Sequence, residues 1–228
     1  MRHVKQIMSM PIGVDIPGCD DEAVFKAVFD RLRQIDERFS TYKPESEVSR
    51  FARSVLAKKD LSEELKDVIK ACEEAKKATD GYFSAWAGGQ FQPSGYVKGW
   101  AIAEAGKVIE RYAYGTYCIG AGGDILAKSD GDKVWNIGIQ DPKDKQKILN
   151  RLSITNGAVA TSGNYERGAH IINPKTKKTA DYWASVTITG PDIITADVLA
   201  TAAFAAGKNA SNLLKEHKSY QAILIPKS

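Results

Sequence analysis

The run Gly157-Ala-Val-Ala-Thr-Ser-Gly-Asn-Tyr-Glu-Arg-Gly-Ala-His-Ile-Ile-Asn-Pro174 brings small residues, hydroxyls and one histidine into a short stretch. Small residues let backbone approach a ligand closely, and His170 carries the side chain best suited to proton transfer near neutral pH. Further on, Asp197 and Thr201 stand four apart in an Ala-rich segment that reads as a helix. That spacing puts a carboxylate and a hydroxyl on one helix face. Both are hard oxygen donors of the kind Mg²⁺ takes, with water or substrate phosphate filling its other positions. The combination suggests metal-assisted chemistry on a phosphorylated ligand. Each part also has a plainer reading. Asp197 and Thr201 fit a solvent-facing acid beside a packed threonine, and His170 fits a hydrogen-bonded structural histidine.

Gly120-Ala-Gly-Gly-Asp124 interrupts a strand pattern, which marks either close backbone approach by a ligand or a bulge. It lacks the spacing and the following helix of a dinucleotide fingerprint. Lys98-Gly99-Trp100 is expected to open a helix, where a lysine and free amides suit a phosphate or ribose, or where the lysine is simply solvated. Tyr42 and Trp86 lie in polar or Gly-rich loops and fit either ring stacking on a ligand or ordinary loop positions.

These residues need elements to carry them. Met8 to Ile16 reads as a first strand. Asp20 is placed to cap a helix whose apolar positions Val24, Phe25, Val28, Phe29, Leu32, Ile35 and Phe39 follow the helical period. A polar loop covers 40–47. Asp60 with Glu63 suggests a capping box for a second helix that stops near Gly81. Residues 82–97 read as loop, and a third helix is expected from Lys98 to Arg111. Tyr117 to Lys128 reads as one Gly-interrupted strand, and Asp130-Gly131 as a hairpin turn leading into Val134 to Ile139. Further strands are expected near 152–161 and 183–189. The Asp197 helix should end at Gly207, before a short helix and a last strand from Tyr220 to Ile225. Helices and hairpins mixed without strict alternation favour an α+β fold.

The chain has 228 residues, with 43% hydrophobic and 26% charged residues and a net charge of +4. These values suit a single soluble domain over 1–228, with no nucleic-acid signature. Cys19, Cys72 and Cys118 have no metal-ligand spacing and are expected to be reduced, mostly buried thiols. The first residues have no apolar signal core and no lipobox cysteine, and no apolar run reaches membrane-spanning length. The expectation is a cytoplasmic protein without a membrane anchor.

Taken together the motifs resemble the FAD:protein FMN transferase family, the ApbE-type flavin transferases, over nearly the whole chain from Met10 to Gly207. The matching blocks are Ser40-Thr-Tyr-Lys-Pro-Glu-Ser-Glu-Val-Ser-Arg-Phe51, Thr79-Asp-Gly-Tyr-Phe83 and Gly95-Tyr-Val-Lys-Gly-Trp-Ala101. Gly122-Gly-Asp124, Trp135 to Pro142, Ala160-Thr-Ser-Gly-Asn-Tyr165, His170-Ile-Ile-Asn-Pro174 and Asp197 with Thr201 follow in order. The resemblance implies two intimately packed α+β lobes, of mixed or antiparallel sheet flanked by helices, that bind FAD and Mg²⁺. It implies transfer of the FMN half of FAD to a Ser or Thr hydroxyl of an acceptor protein bearing an Asp-Gly-x-x-Ser/Thr-type motif, with AMP released. Some relatives hydrolyse FAD to FMN and AMP instead, and a non-catalytic FAD-binding protein is a third reading. By the same resemblance Asp197, Thr201 and the Ala160 carbonyl would hold Mg²⁺, and His170 would accept the hydroxyl proton. Met10, Tyr42, Trp86, Lys98, Gly122, Gly123, Asp124, Thr161 and Ser162 would contact FAD. The family usually carries Asn at Ala52, and Asp at Ser84, Gln92, Asn164 and Asn173. Those last four positions here lack a carboxylate charge. Asp80-Gly-Tyr-Phe-Ser84 matches the acceptor pattern superficially, but falls on the family's own internal turn.

Overall fold

The computed structural model describes residues 1–144, 146–164 and 171–227. In chain order the elements are β1 (Arg2–Ile7), β2 (Met10–Asp15), α1 (Glu22–Phe39), α2 (Glu47–Ala52), α3 (Glu63–Ala78) and α4 (Ser94–Arg111), then β3 (Tyr117–Ala121), β4 (Asp124–Lys128), β5 (Trp135–Gln140) and β6 (Ile148–Ile154). The remainder are β7 (Gly157–Gly163), β8 (Trp183–Gly190), α5 (Ile193–Ala206), α6 (Ala210–Leu214) and β9 (Gln221–Pro226). Seven strands form one antiparallel sheet in the order β1-β2-β3-β4-β7-β8-β9, and β5 and β6 pair as a separate two-stranded ribbon. The architecture is α+β, as expected.

Strand alternation assigns each face its partner. Ala158, Ala160, Val186, Ile188 and Leu126 belong to the main core, which they share with α1, α4 and α5. Val159 is buried with Ile137 and Ile139 of the ribbon, and Ile125, Leu152 and Ile223 pack around them. The period of two therefore sends Asp124, like Leu126, toward the helices. Helix α5 is apolar all round and almost wholly buried, as a helix clamped between a sheet and other helices must be. Its N-cap is Asp192, whose Oδ1 accepts from the Thr195 N–H at 2.8 Å. Asp192→Ala should cost about 1 kcal/mol and lower Tm by about 2–4 °C in a thermal melt, an unchanged Tm speaking against the cap.

Several expected boundaries move. The first strand is a hairpin, β1 and β2, turned by Met8 and Ser9 with φ of 56° and 60°; this two-residue turn gave no sequence signal because neither residue is glycine. Residues 117–128 are likewise a hairpin, with Gly122 and Gly123 at φ 54° and 91° making its turn. Asp130-Gly131 does not join paired strands, since β4 pairs with β3 and β7. The expected strand over 152–161 is two strands, β6 and β7, lying in different sheets. The cap of α1 is Asp21 rather than Asp20, and that of α3 is Ser62, with Asp60 in a short 3₁₀ turn. Helix α4 starts at Ser94, so Lys98 lies one turn inside it rather than at its opening. Among the described residues all three cysteines are free, Cys19 and Cys72 buried and Cys118 partly so. No helix among them is long and apolar enough to cross a membrane.

Candidate active site

Helices α4 and α5 meet where α4 carries no bulk. A Cβ on Gly99 would stand 2.9 Å from the Ile193 carbonyl oxygen, 3.0 Å from Asp197 Cβ and 3.1 Å from Ile194 Cα. A Cβ on Gly95 would stand 3.0 Å from Thr201 Oγ1. Two glycines four apart on one helix thus face an acid and a hydroxyl four apart on the other. The sequence motif around Lys98 contains both glycines, but their role as a helix contact shows only once α4 is known to begin before them.

Asp197 is 1% exposed. Its Oδ2 accepts from the Gly99 N–H at 2.9 Å, and its Oδ1 lies 3.6 Å from Lys98 Nζ. Burial pushes its carboxyl up to about 7, outweighing the Lys98 ammonium and the Gly99 N–H, which favour the charge; nearby Asp124 adds to the rise. Asp124, fully buried at the start of β4, accepts from the Thr161 N–H at 3.0 Å and lies 2.9 Å from Lys98 Nζ. One ammonium therefore serves two buried carboxylates. Thr201 Oγ1 is 3.4 Å from Ser162 Oγ, which β7 turns toward α5. The Thr161 hydroxyl pairs with buried Thr187 at 2.9 Å. Thr187 gave no sequence signal, because the pairing comes from strand register.

Asp197, Thr201, Lys98, Thr161 and Ser162 line one cavity of about 360 Å³. Its other walls include Gly95, Gly163, Ile171, Ile172, Ser84 and Gln92. The loop carrying Ser84 and Gln92 is held by the Phe83 N–H on Thr79 Oγ1 at 3.1 Å and the Gln92 N–H on the Ala85 carbonyl at 2.7 Å. Ser94 and Gly95 of the first turn of α4 line the cavity, and the N-cap, Pro93, supplies no side-chain cap. Met10, Gly123 and Asp124 border a second groove of about 790 Å³, which meets the first at Gly122. A Cβ on Gly122 would press to 2.8 Å from Met10 Sδ, so the turn and Met10 fix each other.

Three expected residues are not brought to either space among the described residues. Tyr42 is 75% exposed. The Trp86 ring packs against Phe91 and Phe51 at 5.1 and 6.0 Å between centroids. Ala160 is fully buried in β7, opposite Ile188 of β8. His170 lies outside the described residues.

No group of three or more His, Cys, Asp or Glu is gathered for a metal among the described residues. Asp197 and Thr201 both line the cavity and carry oxygen donors. A hard cation taking only part of its shell from protein, with water or phosphate completing it, fits this donor set; a closed structural site does not.

A family model described as the ApbE family matches residues 8–91 and 85–224. The FAD:protein FMN transferase of Haemophilus influenzae is 23% identical over 261 residues, covering 85% of this chain and 75% of that protein. The enzyme of the same name from Treponema pallidum is 33% identical over 162 residues, covering 62% of this chain and 45% of that one. Among solved structures, the ApbE protein of Thermotoga maritima superposes with a TM-score of 0.85 at 21% identity, covering 99% of this chain and 94% of that one. The flavin transferase ApbE from Vibrio cholerae gives 0.85 at 20% identity, covering 100% and 94%.

Proposed function

Because this chain belongs to the ApbE family, we propose that it is an FAD:protein FMN transferase that uses Mg²⁺ to move FMN from FAD to a Ser or Thr hydroxyl of an acceptor protein, releasing AMP. The observation that carries this reading is the pair Asp197 and Thr201, one turn apart on α5 and both on the wall of one cavity. The relatives whose names state this activity support it.

Asp197 and Thr201 would hold Mg²⁺. When bound, the ion supplies charge neutralisation at the pyrophosphate, where phosphoryl transfer needs electrostatic help more than covalent chemistry. The chain's own groups do the positioning. Gly99 and Gly95 let α4 lie against α5, and the Gly99 N–H orients the Asp197 carboxylate. The N-terminal turn of α4 directs partial positive charge at the phosphates. The cavity and the groove joined at Gly122 together suit an elongated dinucleotide, with Met10 at the groove's border. Ser84 and Gln92 line the cavity with neutral polar groups. His170 would accept the acceptor's hydroxyl proton, and the acceptor would carry an Asp-Gly-x-x-Ser/Thr-type motif.

Covalent labelling tests this. Incubated with FAD, Mg²⁺ and an acceptor fragment bearing that motif, the protein should give a flavin-fluorescent acceptor band that survives denaturing electrophoresis, and EDTA should abolish it. FMN and AMP released with no labelled band would mark a pyrophosphatase, and FAD recovered intact would mark a binding protein.

A further inference from the structure

The ammonium of Lys98 lies 2.9 Å from Asp124 and 3.6 Å from Asp197, so it sits nearer the acid that is not one of the two proposed cation ligands. The side chains of Asp124 and Asp197 are 0% and 2% exposed, and that of Lys98 is 18% exposed. Asp124 is also tied to β7 through the Thr161 N–H at 3.0 Å, so the anchor of Lys98 spans two strands. Asp197 has one oxygen committed to the Gly99 N–H, and the other is the one closest to Lys98.

We propose that Lys98 is a positioning residue, an internal counter-ion that steadies Asp197 in the ion-free protein and yields it, while staying on Asp124, when a divalent cation binds. This rests on the reading of Asp197 and Thr201 as the Mg²⁺ ligands. Two buried acids facing a shared space need a cation between them, because an uncompensated buried charge is costly. Lysine suits this role because its ammonium is a compact charge on a flexible stem, able to shift between neighbours without the fixed fork of arginine. Lys98 and the divalent ion compete for Asp197, and Asp124 gives the displaced ammonium somewhere to stay. With both acids ionised, the three side chains carry one net negative charge without the ion and one net positive charge with it. The cavity therefore turns from repelling a pyrophosphate to attracting one, which orders binding: the cation comes before the dinucleotide.

The experiment uses the full chain, with Mg²⁺ alone as probe and isothermal titration as readout. Lys98→Met should bind Mg²⁺ about tenfold more tightly than the unaltered protein, since a competing charge is gone. It should also melt lower in EDTA, with the gap closing as Mg²⁺ is added. A lysine that served only packing would give weaker or unchanged Mg²⁺ affinity on removal, and either result overturns the proposal. Asp124→Asn provides a second line should Lys98→Met fail to fold. Stripped of its anchor, Lys98 should remain on Asp197 and weaken Mg²⁺ binding; equal or tighter binding would overturn it. Absence of Mg²⁺ binding by every form, including the unaltered protein, would sink the cation-site reading and this proposal with it. Equal binding by all forms would sink the role of Lys98 alone.

Discussion

Asp197→Asn is expected to abolish FMN transfer, with a loss of roughly a hundredfold to a thousandfold or more, while the protein stays folded. The substitution keeps the size and one oxygen of the side chain, so the Gly99 N–H at 2.9 Å retains an acceptor. It removes the charge that would bind a cation. The same change should leave the ion-free protein as stable as before or more so at alkaline pH. Burial raises the Asp197 carboxyl from 3.8 in the unfolded chain to about 7. A raised folded value means the native state binds the proton more tightly than the unfolded state. The stability this contributes is complete below about 4 and is lost as pH rises through about 7. In EDTA, the difference in stability between the unaltered protein and Asp197→Asn should therefore move in favour of the variant between about pH 4 and 8. Mg²⁺ should reverse that trend for the unaltered protein only, because the ion stabilises the charged form. Thermal melts across that range with and without Mg²⁺, paired with the labelling assay, check both halves. A pH-independent difference in EDTA would show that Asp197 does not sit in the desolvated environment assigned to it, and normal labelling by the variant would remove it from the site.

The chemistry-bearing residues on α5 are legible in the sequence because helical spacing is a local property: Asp197 and Thr201 share a face whatever surrounds them. The amphipathic pattern of α1 is legible for the same reason, and each of its expected apolar positions is buried. Turns are less so. Asp130-Gly131 has turn chemistry without paired strands on either side, whereas Met8-Ser9 turns a hairpin without glycine, held there by the full ladder of β1 on β2. Lys98 shows the deeper limit. As sequence it stands among small and aromatic residues and fits either a phosphate-binding group or a solvated lysine at a helix start. Its ion-pair partners among the described residues include Asp124 and Asp197, which come from β4 and α5, and no local pattern announces them. Thr187 and the burial of Ala160 are likewise products of register, which depends on the whole sheet.

Gly99→Ala should damage stability and cation binding together, whereas Gly95→Ala should separate them. The added methyl at Gly99 meets backbone: the Ile193 carbonyl oxygen at 2.9 Å and Ile194 Cα at 3.1 Å, with Asp197 Cβ at 3.0 Å. None of these is the free end of a side chain, so α4 and α5 must move apart. Overpacking of this kind costs about 1–3 kcal/mol, offset in part by the better helix propensity of alanine. For a chain of this length that lowers Tm by roughly 2–10 °C. Separation of the helices also lengthens the bond from the Gly99 N–H to Asp197, so the carboxylate loses its orientation and Mg²⁺ affinity should fall about tenfold or more. At Gly95 the methyl meets mainly the Thr201 side chain, with Oγ1 at 3.0 Å and Cγ2 at 3.2 Å, and the Phe83 ring at 3.4 Å. A threonine can rotate where a backbone cannot. Gly95→Ala should therefore keep Tm within about 1–2 °C while moving the Thr201 hydroxyl and weakening Mg²⁺ binding. Melting curves and Mg²⁺ titrations on the two variants test this contrast. If both lose stability equally, the helices are held by contacts other than this glycine pair. If neither loses Mg²⁺ affinity, the close approach of α4 serves packing alone, and Asp197 and Thr201 do not depend on it for their geometry.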